Sequence, residues 1–265
     1  MHKQILPIAL LAIAVIAAVI AGCTGTPPDN DIPDPDRTYY IVGIDEFYPP
    51  HTYLDEKGNP VGFDVESMIW IAQDQGLDIR FKTREWKGII SALLDKKIDM
   101  IYTGLSITPE RAEIISFSDP YWAINQGVAV KNGSQITMEK VMSGSAVTGA
   151  PKESTAAEWV QRYLVGIGVL KKDRFKLYDD FPGAIRALED GQIDALIYDT
   201  PGLIEAIEDK NLEFIGAINT DEKYGIAVRK EDAQLLEKLN AGLKHLKDSP
   251  KWAELIAKYE LNENN

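Results

Sequence analysis

The chain has 265 residues, of which 45% are hydrophobic and 26% are charged, and its formal net charge at pH 7 is −13. This balance is ordinary for a globular protein. The acidity opposes non-specific binding to nucleic acid, so we expect no nucleic-acid partner. Cys23 is the only cysteine, which excludes a disulfide within the chain.

The N-terminal segment has the pattern of an export signal. Lys3 precedes an apolar run from Ile5 to Ala21, and small residues stand directly before Cys23. A lone cysteine in this position resembles a lipoprotein processing site, so residues 1–22 are predicted to be a signal peptide and Cys23 to carry a lipid. An uncleaved membrane anchor is the alternative, because the run is close to the shortest length that spans a bilayer. Both interpretations place the rest of the chain outside the cytoplasm, attached to the outer face of the cell membrane.

Residues 23–38 are predicted to form a lipid-anchored spacer. They contain four prolines and four aspartates. A segment of this composition has little apolar surface to bury and favours extended conformations.

The region after the spacer alternates between strand and helix patterns, which predicts an α/β fold with parallel strands. The predicted strands are residues 39–44, 77–82, 127–130 and 225–228. The predicted helices are residues 64–75, 155–165, 233–247 and 250–259. Thr155 and Glu158 form a possible capping box at the start of the helix 155–165. The strands 127–130 and 225–228 are expected to cross between two lobes and to form a hinge.

Two distant segments share one pattern. Residues 88–102 and 183–197 each combine an amphipathic helix, a turn and a short buried strand, although a chance match between ordinary α/β sequences is the alternative. If the repeat is real, the two strands end at equivalent places, just before Ser106 and Asp199. Ligands of α/β sheets bind beyond the carboxyl ends of strands, so Ser106 and Asp199 are expected to face one crevice.

Arg111 lies where helix electrostatics disfavours a cation. The Thr-Pro-Glu sequence at 108–110 is typical of a helix start, so Arg111 falls in the first turn, at the positive end of the helix dipole. A bound carboxylate would match both the guanidinium and the free backbone N–H groups. With Asp199 opposite, the pair predicts a zwitterion such as a free amino acid. The alternatives are that Arg111 pairs with Glu110 or Glu113 on the surface, and that Asp199 is a helix N-cap.

Six motifs occur together along this region. They are Gly62-Phe-Asp-Val, Ser106-Ile-Thr-Pro-Glu-Arg, Phe117-Ser-Asp-Pro-Tyr-Trp, Gly191-Gln-Ile-Asp-Ala, Asp199-Thr-Pro and Tyr224-Gly-Ile-Ala-Val-Arg. From about Tyr39 to Leu261 the chain resembles the extracellular solute-binding proteins of polar amino-acid ABC importers. The resemblance implies the two-lobed type II periplasmic-binding-protein fold, in which each lobe is a mixed sheet flanked by helices and two strands form a hinge. Lobe 1 is predicted to comprise residues 39–129 and 223–265, and lobe 2 residues 130–222.

The resemblance also implies which residues contact the ligand. They are Asp45, Tyr48, Trp86, Thr103, Gly104, Ser106, Arg111, Thr155 and Asp199. Arg111 would bind the ligand α-carboxylate together with backbone N–H groups of Ser106 and Thr155. Asp199 would bind the α-ammonium. Gly104 is expected to leave room in the cleft.

The side-chain end of the ligand is less well defined by the sequence. Tyr48 and Trp86 would enclose the ligand side chain and Asp45 would contact it, but the aromatics are alternatively core residues and Asp45 a turn residue. The chain departs from the family at Glu153, where glycine is usual, and at His51, where phenylalanine is common. Glu153 is expected to be a solvent-facing charge, and His51 a structural or rim residue.

The sequence thus predicts a monomeric protein that captures a polar free L-amino acid between two lobes and delivers it to the permease of an ABC transporter. Glutamine-like and basic ligands both remain open. Phosphate-binding glycine loops and histidine pairs at metal-ligand spacing are absent from the sequence, so no cofactor is expected. The alternatives are an extracytoplasmic dehydratase on the same scaffold, with Glu153 or Asp45 as acid or base, and a sensing module for a separate receptor.

Overall fold

The computed structural model describes residues 37–261. The predicted signal peptide, Cys23 and nearly all of the predicted spacer lie outside these residues. Within them, every helix is too short or too polar to cross a membrane.

The described strands form two sheets of five strands and one of three. The strands are β1 (Tyr40–Ile44), β2 (Phe47–Tyr48), β3 (Thr52–Leu54), β4 (Pro60–Val61), β5 (Ile79–Thr83), β6 (Met100–Ile101), β7 (Ile115–Phe117), β8 (Trp122–Lys131), β9 (Thr148–Pro151), β10 (Phe175–Tyr178), β11 (Ala195–Asp199), β12 (Leu212–Tyr224) and β13 (Ala227–Arg229).

The described α-helices alternate with these strands. They are α1 (Phe63–Gln75), α2 (Ile89–Leu94), α3 (Pro109–Ile114), α4 (Met138–Met142), α5 (Thr155–Val160), α6 (Phe181–Glu189), α7 (Thr200–Ile207), α8 (Ala233–Asp248) and α9 (Pro250–Lys258). A π-helical turn, Gln161–Val165, continues α5, and a 3-10 turn, Lys172–Arg174, precedes β10. The predicted helices therefore all exist, and so do the helix, turn and strand that the two similar segments predicted.

The first sheet has the strand order β5-β1-β6-β13-β7. Strand β1 pairs in parallel with β5 and β6, while β13 is antiparallel to both β6 and β7, so the sheet is mixed. Helix α1 packs on α8, and a Cβ atom on Gly242 would lie 2.8 Å from Ile71 Cγ2, so only glycine permits this close approach. Helix α1 ends at Gly76, whose φ of 62° is the left-handed conformation typical of a C-cap, as the sequence predicted.

The second sheet has the strand order β10-β9-β11-β8-β12. Strands β9, β10 and β11 are parallel, whereas β8 runs antiparallel to β11 and β12. Helix α5 packs against β9 and β11 on an apolar cluster of its own, and α6 and α7 also contact this sheet. Each sheet with its helices forms one lobe, called here the first and the second lobe.

Two long strands connect the lobes. Strand β8 leaves the first lobe at Trp122, and β12 returns to it at Tyr224, where the two residues pair. The ladder is irregular between Ile218 and Glu222, which marks a bulge in the connection. The predicted crossing strand 225–228 is therefore wrong. Its residue Ala227 pairs with β6 and β7 inside the first sheet, and β12 makes the crossing instead.

The position of the first connection also differs from the sequence-based division. The predicted boundary after residue 129 falls inside β8, whose residues from Gln126 onward already pair with β11 of the second sheet. A run of apolar residues in β8 gives no sign of where one sheet ends and the next begins, because both faces of the strand are largely buried.

Candidate functional site

A cavity of about 400 Å³ lies between the lobes. Its lining comes from both of them and comprises Asp45, Glu46, Phe47, Glu85, Trp86, Lys87, Pro151, Asp179, Asp180, Phe181 and Tyr198. A second cavity, of about 460 Å³, is lined by residues 120–123, Lys223, Lys247 and Trp252. The interlobe cavity is the candidate site, because it contains the predicted residues Asp45 and Trp86 and adjoins the buried charges described next.

Arg111 is held at the inner end of the cleft by its helix. The Thr108 hydroxyl accepts the backbone N–H of Arg111 at 3.2 Å and caps α3, as the sequence predicted. The guanidinium donates from Nη1 to the carbonyl oxygen of Ser106 and from Nη2 to that of Glu153, each at 2.9 Å. It also lies over the ring of Trp86, 5.6 Å from its centre.

Arg111 has no carboxylate at ion-pair distance among residues 37–261, although it is only 6% exposed. The alternative that it pairs with Glu110 is wrong, because Glu110 pairs with Arg162 at 2.7 Å. Burial lowers the pKa of Arg111, and the charges of Glu158 and Asp199 oppose that shift. A buried cation satisfied only by neutral carbonyls is suited to an incoming anion.

Asp199 follows strand β11 and is 7% exposed. It occupies the N-cap position of α7, but its side chain does not cap the helix. Its Oδ1 accepts a hydrogen bond from Gln126 Nε2 at 2.7 Å, and its Oδ2 accepts one from the Tyr224 hydroxyl at 2.6 Å. Burial first, and the nearby charge of Glu222 second, raise the pKa of Asp199 to about 6, while these two hydrogen bonds and Arg111 oppose the shift.

A polar network joins Asp199 to both lobes. Gln126 Nε2 also lies 3.2 Å from Thr155 Oγ1 and 3.1 Å from Glu222 Oε1. Glu222 in turn accepts the hydroxyl of Ser106 at 2.9 Å, so Ser106 is not a solvated loop residue. Gln126 Oε1 is buried and has no hydrogen-bond partner in the described part of the chain, which leaves one acceptor in this network for a ligand donor.

The start of α5 differs from the capping box predicted for Thr155 and Glu158. Ser154 is the N-cap, and its hydroxyl accepts the N–H of Ala157 at 3.1 Å. Thr155 is therefore the first helical residue. Its backbone N–H is one of those that helix geometry leaves without an intrahelical acceptor, as the predicted carboxylate contact requires.

Tyr48 is a buried aromatic at the contact between the lobes. Its ring lies between Gly104 and Gly202, where a Cβ atom would come within 2.2 Å and 2.4 Å of ring carbons. Gly104, with φ of +60°, therefore makes room for Tyr48 rather than leaving open space. The Tyr48 hydroxyl bonds to that of Tyr224, and its ring meets Tyr198 edge-on at 5.8 Å.

Thr103 and Asp45 are hydrogen-bonded to each other just beyond the ends of strands β6 and β1 of the first sheet. Thr103 is fully buried, and its hydroxyl accepts the backbone N–H of Asp45 at 3.0 Å and bonds to the hydroxyl of Thr52. Thr103 thus positions Asp45. The carboxylate of Asp45 accepts the N–H of Phe47 at 3.0 Å. Burial raises the pKa of Asp45 to about 6 against the lowering effect of that bond.

His51 is structural, in line with one of the expectations for it. It is fully buried, its Nδ1 lies 3.1 Å from Asp64 Oδ1, and its ring stacks on that of Tyr48 at 5.3 Å. Asp64 Oδ2 accepts the Gly104 N–H and the Tyr121 hydroxyl, each at 2.7 Å. His51 and Asp64 thus hold the ring of Tyr48 and the backbone of Gly104 in place.

The cavity is acidic and aromatic. Of its carboxylates, Asp179 is paired with Lys152 at 2.7 Å, and Asp180 accepts the N–H of Gly183 at the start of α6. Asp45 has no cation at ion-pair distance among the described side chains. The rings of Phe181 and Tyr198 stack with their centres 3.9 Å apart, and Trp86 of the first lobe also lines the cavity. Such a cavity suits a flat or extended cationic group.

The structure therefore brings Ser106, Arg111, Thr155 and Asp199 into one polar cluster and places Asp45 and Trp86 in the adjoining cavity. Sequence reasoning gave no role to Gln126, Glu222 or Gly202, and quoted Tyr224 only as part of a motif. Gln126 had a detectable signal, since it is a buried polar residue within the apolar strand β8. Glu222 had none, because its place depends on the bulge in β12.

Comparisons with known proteins find similar chains and similar structures. The chain is 31% identical to a probable histidine-binding protein of Neisseria gonorrhoeae over 94% of this chain and 93% of the relative. It is similar in structure to an ancestral arginine-binding protein bound to arginine, with a TM-score of 0.76 and 32% identity over 84% of this chain and 98% of the other.

A second solved structure, the arginine-, lysine-, histidine-binding protein of Geobacillus stearothermophilus, matches with a TM-score of 0.76 and 28% identity over 85% of this chain and 96% of the other. The two sheets with their connecting strands are the two-lobed type II binding-protein fold of these relatives. Residues 40–262 match the family model of bacterial extracellular solute-binding proteins, family 3. The chain belongs to that family.

Proposed function

We propose that this protein binds a free L-amino acid with a cationic side chain between its lobes and delivers it to an ABC importer. The observation that carries the proposal is that a buried charged cluster lies next to an acidic, aromatic cavity. Arg111 and Asp199, from opposite lobes, are both buried, and beside them lies a cavity with the carboxylate of Asp45, which has no ion-pair partner among the described residues.

The charged cluster fits the common part of an amino acid. The α-carboxylate would bind the guanidinium of Arg111 and the backbone N–H of Thr155. The α-ammonium would bind Asp199, with the Oε1 atom of Gln126 as a further acceptor. A zwitterion can satisfy both charges at once only when the lobes are together, so ligand binding favours the closed state through its higher affinity for that state.

The cavity supports the choice of side chain. Asp45 offers a carboxylate to a guanidinium or ammonium group, while Trp86, Phe181 and Tyr198 provide aromatic surfaces that attract cations. The relatives named above bind arginine, lysine or histidine by their names, which agrees with this chemistry. A glutamine-like ligand would leave the charge of Asp45 unpaired.

Of the two rival functions, the dehydratase has less support than amino-acid binding, and the sensing module makes the same use of the cleft. A dehydratase would need Asp45 or Glu153 to act as acid or base on a bound substrate. Asp45 has a raised pKa, but the exposed side chain of Glu153 bonds to a backbone N–H. A sensing module would use the same cleft and would differ only in its partner.

The N-terminal segment fits a protein held beside its importer. We infer that residues 1–22 are removed, that Cys23 carries a lipid at the outer face of the membrane, and that the lobes work as a monomer on the spacer. Mass spectrometry of the membrane-bound protein tests the lipid. A chain that keeps residues 1–22 would instead be an anchored form.

A thermal-shift screen of the purified protein against all twenty amino acids tests the binding function. A ligand at a hundredfold excess over its Kd stabilises by about 2.7 kcal/mol. We expect arginine or lysine to give the largest shift. A shift with glutamine alone would contradict the cationic assignment, and no shift with any amino acid would contradict the proposal as a whole.

A further inference from the structure

Glu153 stands in a backbone conformation that glycine adopts most readily. It lies in the loop between β9 and α5, and its φ is +59°. Few side chains adopt the left-handed region, because the Cβ atom crowds the backbone there. A glutamate retained in this conformation therefore calls for a compensating interaction.

Glu153 makes two contacts that cross from the second lobe to the first. Its carbonyl oxygen accepts Arg111 Nη2 at 2.9 Å. Its side-chain Oε2 accepts the backbone N–H of Gly88 at 3.1 Å, at the start of α2. A glycine at this position would keep the first contact and lose the second, so the side chain adds a bond between lobes that the loop conformation does not require.

We infer that Glu153 is a latch: a positioning residue that orients Arg111 through its carbonyl and holds the lobes closed through its carboxylate, so that bound ligand leaves slowly. The effect on ligand release rests on the proposed function. The effect on the balance between open and closed lobes does not. The Glu153 side chain is exposed, but the group that donates to it is the backbone N–H of Gly88, which is fixed at the start of α2. A lysine or arginine side chain in that place would be flexible.

Two ion pairs between the lobes are weaker candidates for holding the lobes together. Glu110 and Arg162 are 2.7 Å apart, but both side chains are more than half exposed, at 56% and 58%. Lys87 and Asp179 are 3.4 Å apart and similarly exposed. Solvent screening and side-chain entropy leave such pairs with little net effect. They therefore serve as controls for the latch.

Two measurements on the full chain test the inference. The distance between fluorophores on the two lobes, measured by single-molecule energy transfer without any amino acid, reports the open fraction. Stopped-flow release of a bound amino acid reports the dissociation rate. For Glu153→Gly we expect a larger open fraction, release about three to tenfold faster from the loss of one hydrogen bond, and a higher Tm from relief of the left-handed conformation.

Matched variants separate the latch from the backbone. Glu153→Ala keeps the strained conformation and loses the carboxylate, so we expect faster release without the rise in Tm. Glu153→Gln keeps an acceptor for the Gly88 N–H and should release ligand close to the wild-type rate. Glu110→Gln, at the rim, should leave both readouts unchanged.

Unchanged open fractions and release rates in Glu153→Gly and Glu153→Ala would overturn the latch. An effect of Glu110→Gln on the open fraction or the release rate as large as that of Glu153→Ala would also overturn the latch. If no amino acid binds the wild-type chain, the proposed function fails, and the energy-transfer comparison still decides whether Glu153 holds the lobes together.

Discussion

The two ends of the cleft are built in different ways. At the inner end, Arg111 and Asp199 are buried, and partners in the described part of the chain occupy two of the five N–H donors of Arg111 and one position on each carboxylate oxygen of Asp199. At the outer end, the cavity is lined by Trp86 and by Asp45, whose carboxylate has no cation at ion-pair distance among residues 37–261. The inner end suits the α-carboxylate and α-ammonium groups that all free amino acids share. The outer end is where the ligand side chain, which differs between amino acids, would lie.

This difference predicts that damage at the inner end affects every ligand, whereas damage at the outer end changes selectivity. Four expected outcomes test that contrast, and they are given in order of decreasing size.

Arg111→Ala should have the largest effect. Removing one partner of a buried charge pair costs about 3–5 kcal/mol, which corresponds to a loss of affinity of more than about a hundredfold. Isothermal titration with arginine and with glutamine should show the same loss for both. Arg111→Lys is the matched control, and it should recover only part of the affinity, because an ammonium cannot bind a carboxylate through two parallel N–H groups. Near wild-type affinity in the alanine variant would contradict the role of Arg111.

Asp199→Asn should weaken binding of every amino acid by about ten to a hundredfold, since a hydrogen bond to a charged group contributes about 1.5–3 kcal/mol. The amide keeps the shape of the side chain and one of its two acceptor oxygens, so circular dichroism should show an unchanged fold. A loss confined to cationic ligands would show that Asp199 acts on the side chain instead of the α-ammonium.

Affinity should also depend on pH. Asp45 and Asp199 each have a pKa raised to about 6, and a bound cation favours their ionised forms. Binding should therefore release protons, and affinity for arginine should fall from pH 7 to pH 5 by up to about tenfold through Asp199 and by less than about fivefold through Asp45. Titrations in buffers of different ionisation enthalpy measure the released protons. Binding without proton release at pH 6 would contradict the raised pKa values.

The same groups affect unliganded stability in the opposite direction. A carboxyl whose folded-state pKa exceeds its unfolded value binds more protons in the folded state between the two values. Its contribution to the free energy of unfolding therefore decreases as pH rises through about 4 to 6, the window in which ligand affinity rises.

Asp45→Asn should have the smallest effect and the most selective one. The amide keeps an acceptor and loses the charge, and the difference between charged and neutral hydrogen bonds is about 1 kcal/mol, or about fivefold in affinity. The loss should appear for arginine and lysine but not for glutamine. Equal losses for all three ligands would remove the distinction between the two ends of the cleft.

The inner end could be predicted from the sequence largely because its residues sit at marked positions. Arg111 stands in the first turn of a helix with a recognisable cap, and Asp199 ends a buried strand. Side chains that depend on long-range packing were not recognised. Gln126 and Glu222 meet only because β8 and β12 pair across the hinge, and no local pattern records that pairing.

Two local details, the N-cap of α5 and the space beside Gly104, could not be decided from the sequence. Ser154 and Thr155 are both good N-cap residues, and in the structure Ser154 is the cap, with its hydroxyl also donating to the carbonyl oxygen of Pro151 at 2.7 Å. Gly104 indicated open space, but the fold fills that space with the ring of Tyr48. For Gly104 the deciding partner, Tyr48, is distant in sequence, and local propensity carries no information about it.

A crystal structure of the protein with bound arginine tests the central claim most directly. We expect the ligand α-carboxylate on the guanidinium of Arg111 and its α-ammonium on the carboxylate of Asp199, each at about 2.7–2.9 Å, with the ligand guanidinium facing Asp45. A ligand bound elsewhere, or one that contacts neither Arg111 nor Asp199, would contradict the account.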